Sequence, residues 1–181
     1  MKKSLHFYYF IISVLLFVIL KYKSLTIKNI KSLDMSKIIS CGIIPYAIKD
    51  NKVFFFVGHP GGNDNDYWTM LKGQMENGEV YHEVALREFK EESGVDLSRY
   101  KKNLILLGQV RQSKKKDVVA YGLYMHDISI INPEMCRSNM ADNCDWPEID
   151  RYEWKTYDDI IGKTHETHKC FYDKIMKFIN Y

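Results

Sequence analysis

The sequence predicts one domain of the α+β or mixed α/β class. Strand-like runs rich in branched and aromatic residues lie on both sides of a central helical pattern at residues 79–93. A second helical pattern closes the chain at residues 165–179. The 181 residues, 46% hydrophobic and 27% charged, suit one ordinary domain with a tail and exclude a disordered or fibrous chain.

Residues 37–48 (KIISCGIIPYAI) read as a strand, and Pro45 suggests an edge or a bulge because proline cannot donate to a ladder. Asp50-Asn51 is a turn and 52–58 (KVFFFVG) a well-buried strand, so 37–58 reads as a hairpin. HPGGNDNDY is a Gly/Asn/Asp loop, 68–71 a short strand, and 74–78 a loop with an Asn-Gly turn. In the 79–93 helix Val80, Val84, Ala85, Leu86 and Phe89 supply an apolar side, and Gly94 is a plausible C-cap. Segments 103–111 and 118–125 read as strands joined by SKKKD, with Lys114, Lys115 and Lys116 at a solvated tip. Residues 127–148 are irregular and 152–156 form a strand. The final helix turns Phe171, Ile175, Phe178 and Ile179 inward. Tyr46, Phe55, Tyr67 and Trp68 could stack on a base, although strand aromatics are usually core, the expectation for Phe55.

The net charge of +3 is unevenly spread. Lys2, Lys3, Lys21, Lys23, Lys28 and Lys31 against Asp34 give residues 1–34 a charge of +5, and the remainder carries −2. A general nucleic-acid footprint is therefore not expected. Residues 7–20 (FYYFIISVLLFVIL) are apolar apart from Ser13. A helix over 5–22 would reach about 27 Å, close to the hydrocarbon core of a bilayer. A cleaved signal peptide lacks its small-x-small site, and a buried core helix is the plainer alternative. The expectation is an uncleaved membrane anchor and linker at 1–34, with the domain at 35–181 on the cytoplasmic side because more lysines follow the run than precede it. Initiation at Met35 would give a soluble cytoplasmic form.

Cys41, Cys136, Cys144 and Cys170 show no C-x-x-C spacing and read as small hydrophobes in a reducing compartment. His165, His168 and Cys170 resemble a metal site in miniature but have no second half-site.

The chemistry concentrates in Gly73-Gln74-Met75-Glu76-Asn77-Gly78-Glu79 and, after seven residues, Arg87-Glu88-Phe89-Lys90-Glu91-Glu92-Ser93-Gly94-Val95. Glu88, Glu91 and Glu92 stand at i, i+3 and i+4, on one helical face. A solvated acidic face is the usual fate of such a run. These like charges repel, however, and Asp96 rather than a base stands four residues after Glu92. A hard divalent cation would turn that repulsion into binding, and carboxylate oxygens suit Mg²⁺ or Mn²⁺. Arg87 can pair with Glu79, Glu83 or Glu91 and hold the preceding loop.

The segment resembles the Nudix box, G-x5-E-x7-R-E-U-x-E-E-x-G-U, with U a bulky apolar residue. Gly73, Glu79, Arg87, Glu88, Glu91, Glu92 and Gly94 fill every fixed position, and Phe89 and Val95 the apolar ones. Seven fixed letters would coincide by chance roughly once in 10⁸ windows. VGHPGG, YWTMLKG, LGQVRQ and WPEIDRYEW extend the likeness over about residues 37–181. Where the subgroup usually reads W-x-x-P-K-G-E, this chain has Leu71 for the proline and Gln74 for the acid, which removes one carboxylate near the cluster.

The resemblance implies an α/β/α sandwich with a mixed sheet between helices and the box as loop–helix–loop. It implies metal-dependent hydrolysis of a nucleoside diphosphate linked to another group. Glu88, Glu91, Glu92 and the Gly73 carbonyl would hold Mg²⁺ or Mn²⁺, and Glu79, Arg87 and Gly94 would shape the motif. The catalytic set is Arg87, Glu88 and Glu91, with Glu91 a candidate proton acceptor and Glu148 or Glu134 outside the box. Lys72, Arg111 and Trp68 are candidate substrate contacts, and His59 could border the substrate. A small nucleotide is the expected partner. A catalytically weak module that binds nucleotide or protein is the alternative, disfavoured by the intact box.

Overall fold

The computed structural model describes residues 37–179. The anchor expected at 5–22 lies outside the described residues. Among those described, no helix is long and apolar enough to cross a membrane.

Strand β1 (Ile38–Lys49) and β2 (Lys52–Pro60) form the expected hairpin, closed by Asp50 and Asn51 at φ 50° and 58°. These short polar side chains tolerate the left-handed region that a tight two-residue turn requires. Strand β3 (Leu71–Gln74) leads into helix α1 (Tyr81–Ser93); β4 (Ile105–Arg111) and β5 (Lys116–Tyr124) follow. Strand β6 (Ile149–Thr156), the short helix α2 (Tyr157–Ile161) and helix α3 (Lys169–Ile179) complete the order. The sheet runs β4-β5-β1-β2-β6, and β3 also pairs with β1. Only β1 and β5 pair in parallel, so the sheet is mixed.

Pro45 marks neither an edge nor a bulge, because β1 is central. On the β5 side Pro45 pairs with Leu123. On the other side it falls between the stretch held by β3 (Ser40 to Ile43) and the stretch held by β2 (Tyr46 to Lys49), where no ladder needs its missing N–H.

Alternation along the strands makes two cores. Cys41, Ile43 and Phe56 pack with Val84, Ala85 and Phe89 of α1. Ile44, Phe55, Val57 and Met70 pack with Phe171, Tyr172 and Ile175 of α3. This is the expected sandwich. The short strand lies at 71–74 rather than 68–71, because pairing begins where Leu71 meets Ile43. Gly94 caps α1 at φ 76°, its N–H on the Lys90 carbonyl, as expected. Val80 precedes α1 and is exposed. Phe178 is also exposed, and Tyr172 takes the inner position instead, because α3 begins at Lys169 after a 3-10 turn at Glu166–His168. Lys116 opens β5 rather than sitting at the hairpin tip. Cys41 and Cys136 are buried, Cys144 and Cys170 half-buried, and all four are free thiols.

Candidate active site

Arg87 organises the loop before α1. Its Nε and Nη2 donate to the two Glu79 carboxylate oxygens, each at 2.9 Å, and Nη2 also donates to the Gln74 carbonyl at 3.1 Å. Glu79 Oε2 in turn accepts the Glu76 N–H at 2.7 Å. This two-point fork fixes a plane and not merely a charge. The Glu79 hydrogen bonds are the largest cause holding the guanidinium above its ordinary range, and Arg87 in turn holds the Glu79 carboxyl below its own. Arg87 Nη1 reaches the other way, donating to Glu88 Oε1 at 2.7 Å and Glu91 Oε2 at 3.0 Å.

The three box carboxylates differ in setting. Glu88 and Glu92 are only 8% and 9% exposed, whereas Glu91 is half-open to water. Burial pushes the Glu88 carboxyl upward, and it pushes Glu92 up to about 8. The Lys72 N–H donates to Glu92 Oε2 at 2.6 Å. Gly73 is required by close approach, since a Cβ there would lie 1.8 Å from Glu88 Oε2.

These groups line a cleft of about 910 Å³ with Asn77, Asn139, Met140, Asp142 and Glu148. Glu148 was a sequence candidate. Asn139, Met140 and Asp142 were missed, because they lie in the segment read only as irregular. They belong to a small hairpin in which Met140 bridges Pro147 and the Glu148 N–H donates to the Asn139 carbonyl. The hairpin is moored to α1 by Asn139 N–H on the Glu91 carbonyl, and to the β2 end by Gly61 N–H on the Glu148 carbonyl. A Cβ on Gly61 would strike the Pro147 carbonyl at 1.9 Å, which gives the paired glycines a physical role. Burial, then the Asp142 and Glu91 charges, raise the Glu148 carboxyl.

The remaining candidates lie elsewhere. Trp68 is 1% exposed, packed under Lys155 and Arg151 with its indole N–H on Asp66, so its stacking face is spent on the protein. Tyr46 and Phe55 are buried too, and neither they nor Tyr67 line the cleft. Arg111 stands exposed beside Asp117, outside the cleft. Lys72 borders the cleft through its backbone. Gly73 faces α1, so strand alternation sends the Lys72 side chain to the α3 face. Glu134 lies in an exposed 3-10 turn and lines a different depression. His59 is buried between Asp150 (2.7 Å) and the Asn65 carbonyl (2.8 Å), as a turn-fixing residue. His165 and Cys170 both bond Thr167, which leaves no convergent zinc set at 165–170.

Among the described residues no three His, Cys, Asp or Glu side chains converge on an ion as they stand, because Arg87 takes up Glu88 and Glu91. The donor chemistry nevertheless fits a hard cation. The oxygens are carboxylate and carbonyl, two carboxyls are desolvated, and the bare Cα of Gly73 lets the Glu88 carboxylate lie directly against it. Six carboxylates line the cleft beside Arg87, and the Lys72 charge acts on two of them, Glu92 and Glu148.

A mixed sheet between two helices, with an arginine-locked loop and an acidic helical turn, defines an α/β/α sandwich with a cleft suited to a hard cation. The family model described as NUDIX domain matches residues 40–175, and the chain belongs to that family, as a Nudix hydrolase. The fold is shared with the Ap4A hydrolase of C. elegans in a binary complex, at TM-score 0.57 and 18% identity over 80% of this chain and 99% of that one. It is shared with the MutT protein of Methanosarcina mazei Go1, at TM-score 0.57 and 18% identity over 83% and 100%. The NUDIX domain of Shewanella oneidensis NrtR, solved with ADP ribose, aligns at TM-score 0.58 and 11% identity over 83% and 97%. None of the curated proteins compared matches the sequence.

Proposed function

We propose that the chain uses Mg²⁺ or Mn²⁺, held by Glu88, Glu91, Glu92 and the Gly73 carbonyl, to hydrolyse a phosphoanhydride bond in a nucleoside diphosphate linked to another group. The observation that carries this reading is the pair of buried, desolvated carboxyls of Glu88 and Glu92 on one turn of α1, facing an acidic cleft. Buried acids at such density disfavour the fold unless a cation is their partner. The bound ion would neutralise the phosphates and acidify water.

The chain's own residues do the rest. Arg87 holds Glu79 and the Gln74 carbonyl, so the 74–79 loop keeps one shape beside the ligands. Glu91, the most exposed of the three, swings from Arg87 at least expense. Glu148 faces the turn across the cleft, and its raised affinity for protons suits it to accept one from attacking water. Asn77 and Asn139 offer neutral donors to phosphate oxygens. Ap4A and ADP-ribose, which appear with two proteins of the same fold, head the substrate panel. The full-length chain with Mn²⁺ should release nucleotide from at least one member, and EDTA should stop it. Turnover of none would sink the proposal. The membrane tether at 5–22 is a separate proposal, tested by whether carbonate or high salt strips the full chain from membranes.

A further inference from the structure

The C-terminal end of α1 is tied to the domain by donors from outside the helix. The final carbonyls of a helix have no partner within it. In α1 the Glu91 carbonyl accepts the Asn139 N–H at 3.4 Å, and the Ser93 carbonyl accepts the Arg137 N–H at 3.0 Å. Between them the Glu92 carbonyl accepts the Tyr152 hydroxyl. The first two donors are backbone groups. Tyr152, on β6, is the one of the three that acts through a side chain.

Packing holds Tyr152 to this bond. Its buried ring stacks on Phe56, with centroids 6.0 Å apart and planes 12° from parallel, and Phe56 packs in turn on Phe89 of α1 at 5.9 Å. Strand β2 fixes its height, because Tyr152 pairs with Gly58. Burial raises the phenol above its ordinary range, so it remains a donor. Glu92 is thereby held at two points. The Lys72 N–H from β3 meets its carboxylate at 2.6 Å, and Tyr152 from β6 meets its carbonyl. Helix ends fray where their carbonyls are not engaged. This end carries Glu91 and Glu92, two of the three box acids that line the cleft.

We propose that Tyr152 is a positioning residue for the metal: its hydroxyl fixes the last turn of α1 so that Glu91 and Glu92 face one ion. Tyr152 lies outside the cleft lining and acts only through that turn. The ion rests on the hydrolase reading; the fixing of the turn rests on the hydrogen bonds alone.

The test compares the full-length chain with Tyr152→Phe, which keeps the ring on Phe56 and removes one hydroxyl. Trp154→Phe is the control. It removes the indole N–H bond to the Ile131 carbonyl (3.0 Å) on the same strand, without touching a carbonyl of α1. Manganese binding is read by electron paramagnetic resonance of the free ion, with no nucleotide present. Affinity should fall about tenfold or more in Tyr152→Phe, the scale of losing an outer-shell partner. It should stay at the wild-type value in Trp154→Phe, even where both variants melt lower. Amide hydrogen exchange without metal should quicken at residues 90–94 in Tyr152→Phe and not in Trp154→Phe. Wild-type affinity in Tyr152→Phe, or an equal loss in the two variants, overturns the positioning role, and so does unchanged exchange at 90–94. A wild-type chain that binds no manganese overturns the metal reading instead, while exchange still decides whether Tyr152 fixes the turn.

Discussion

The two helices that cover the sheet use their buried positions in opposite ways. Helix α3 buries Phe171, Tyr172 and Ile175, as an amphipathic helix should. Helix α1 buries Val84, Ala85 and Phe89 but also Glu88 and Glu92. One helix is built for packing. The other gives up packing at two positions to hold charges that disfavour the fold without a partner, the pattern expected where function overrides stability.

The contrast predicts opposite responses to substitution. Phe171→Ala should destabilise the chain by about 3–5 kcal/mol, read from urea unfolding, while the folded fraction keeps its turnover. Arg87→Ala should remove about 2 kcal/mol, less than a fully buried pair because the arginine is partly exposed, and should abolish turnover as the 74–79 loop loosens. Glu92→Gln reverses the sign: it should raise metal-free stability at pH 8 by about 1 kcal/mol, within the cost range of a buried polar group, while turnover falls. Phe178→Ser, on the open side of α3, should change stability by less than about 0.5 kcal/mol. If Glu92→Gln destabilises as Phe171→Ala does, the contrast between the helices is wrong.

Glu92 also sets a pH dependence for the metal-free chain. Burial raises its folded-state value from 4.5 to about 8. Between those limits the unfolded chain has lost the proton that the folded chain keeps, so stability falls as pH rises through this window. Thermal melts in EDTA should show the midpoint dropping from pH 5 to pH 8, with a flatter profile in Glu92→Gln. Manganese added near pH 7 should release protons, because the ion binds the ionised carboxyl.

The sequence revealed the box in full, since its residues are local and their spacing is dictated by one helix and one loop. Gly94 at the cap and the β1–β2 hairpin were legible for the same reason. The central place of Pro45 was not, because it depends on β3 and β2 dividing one side of β1 between them. The 139–148 hairpin was invisible to periodicity; its order comes from Gly61 and Glu91, distant in sequence. Trp68 was read as a substrate contact from its aromatic ring and Lys72 from its charge, and strand alternation and packing decide where their side chains go.

The central claim is that the acidic turn of α1 makes a phosphate chain cleavable. The most direct test compares the full-length chain with Glu91→Gln on the nucleotide panel in Mn²⁺. The account predicts metal-dependent turnover that falls about 10²–10⁴-fold in the variant while its melting temperature stays near wild type. Undiminished turnover in Glu91→Gln, or turnover that survives EDTA, would contradict it.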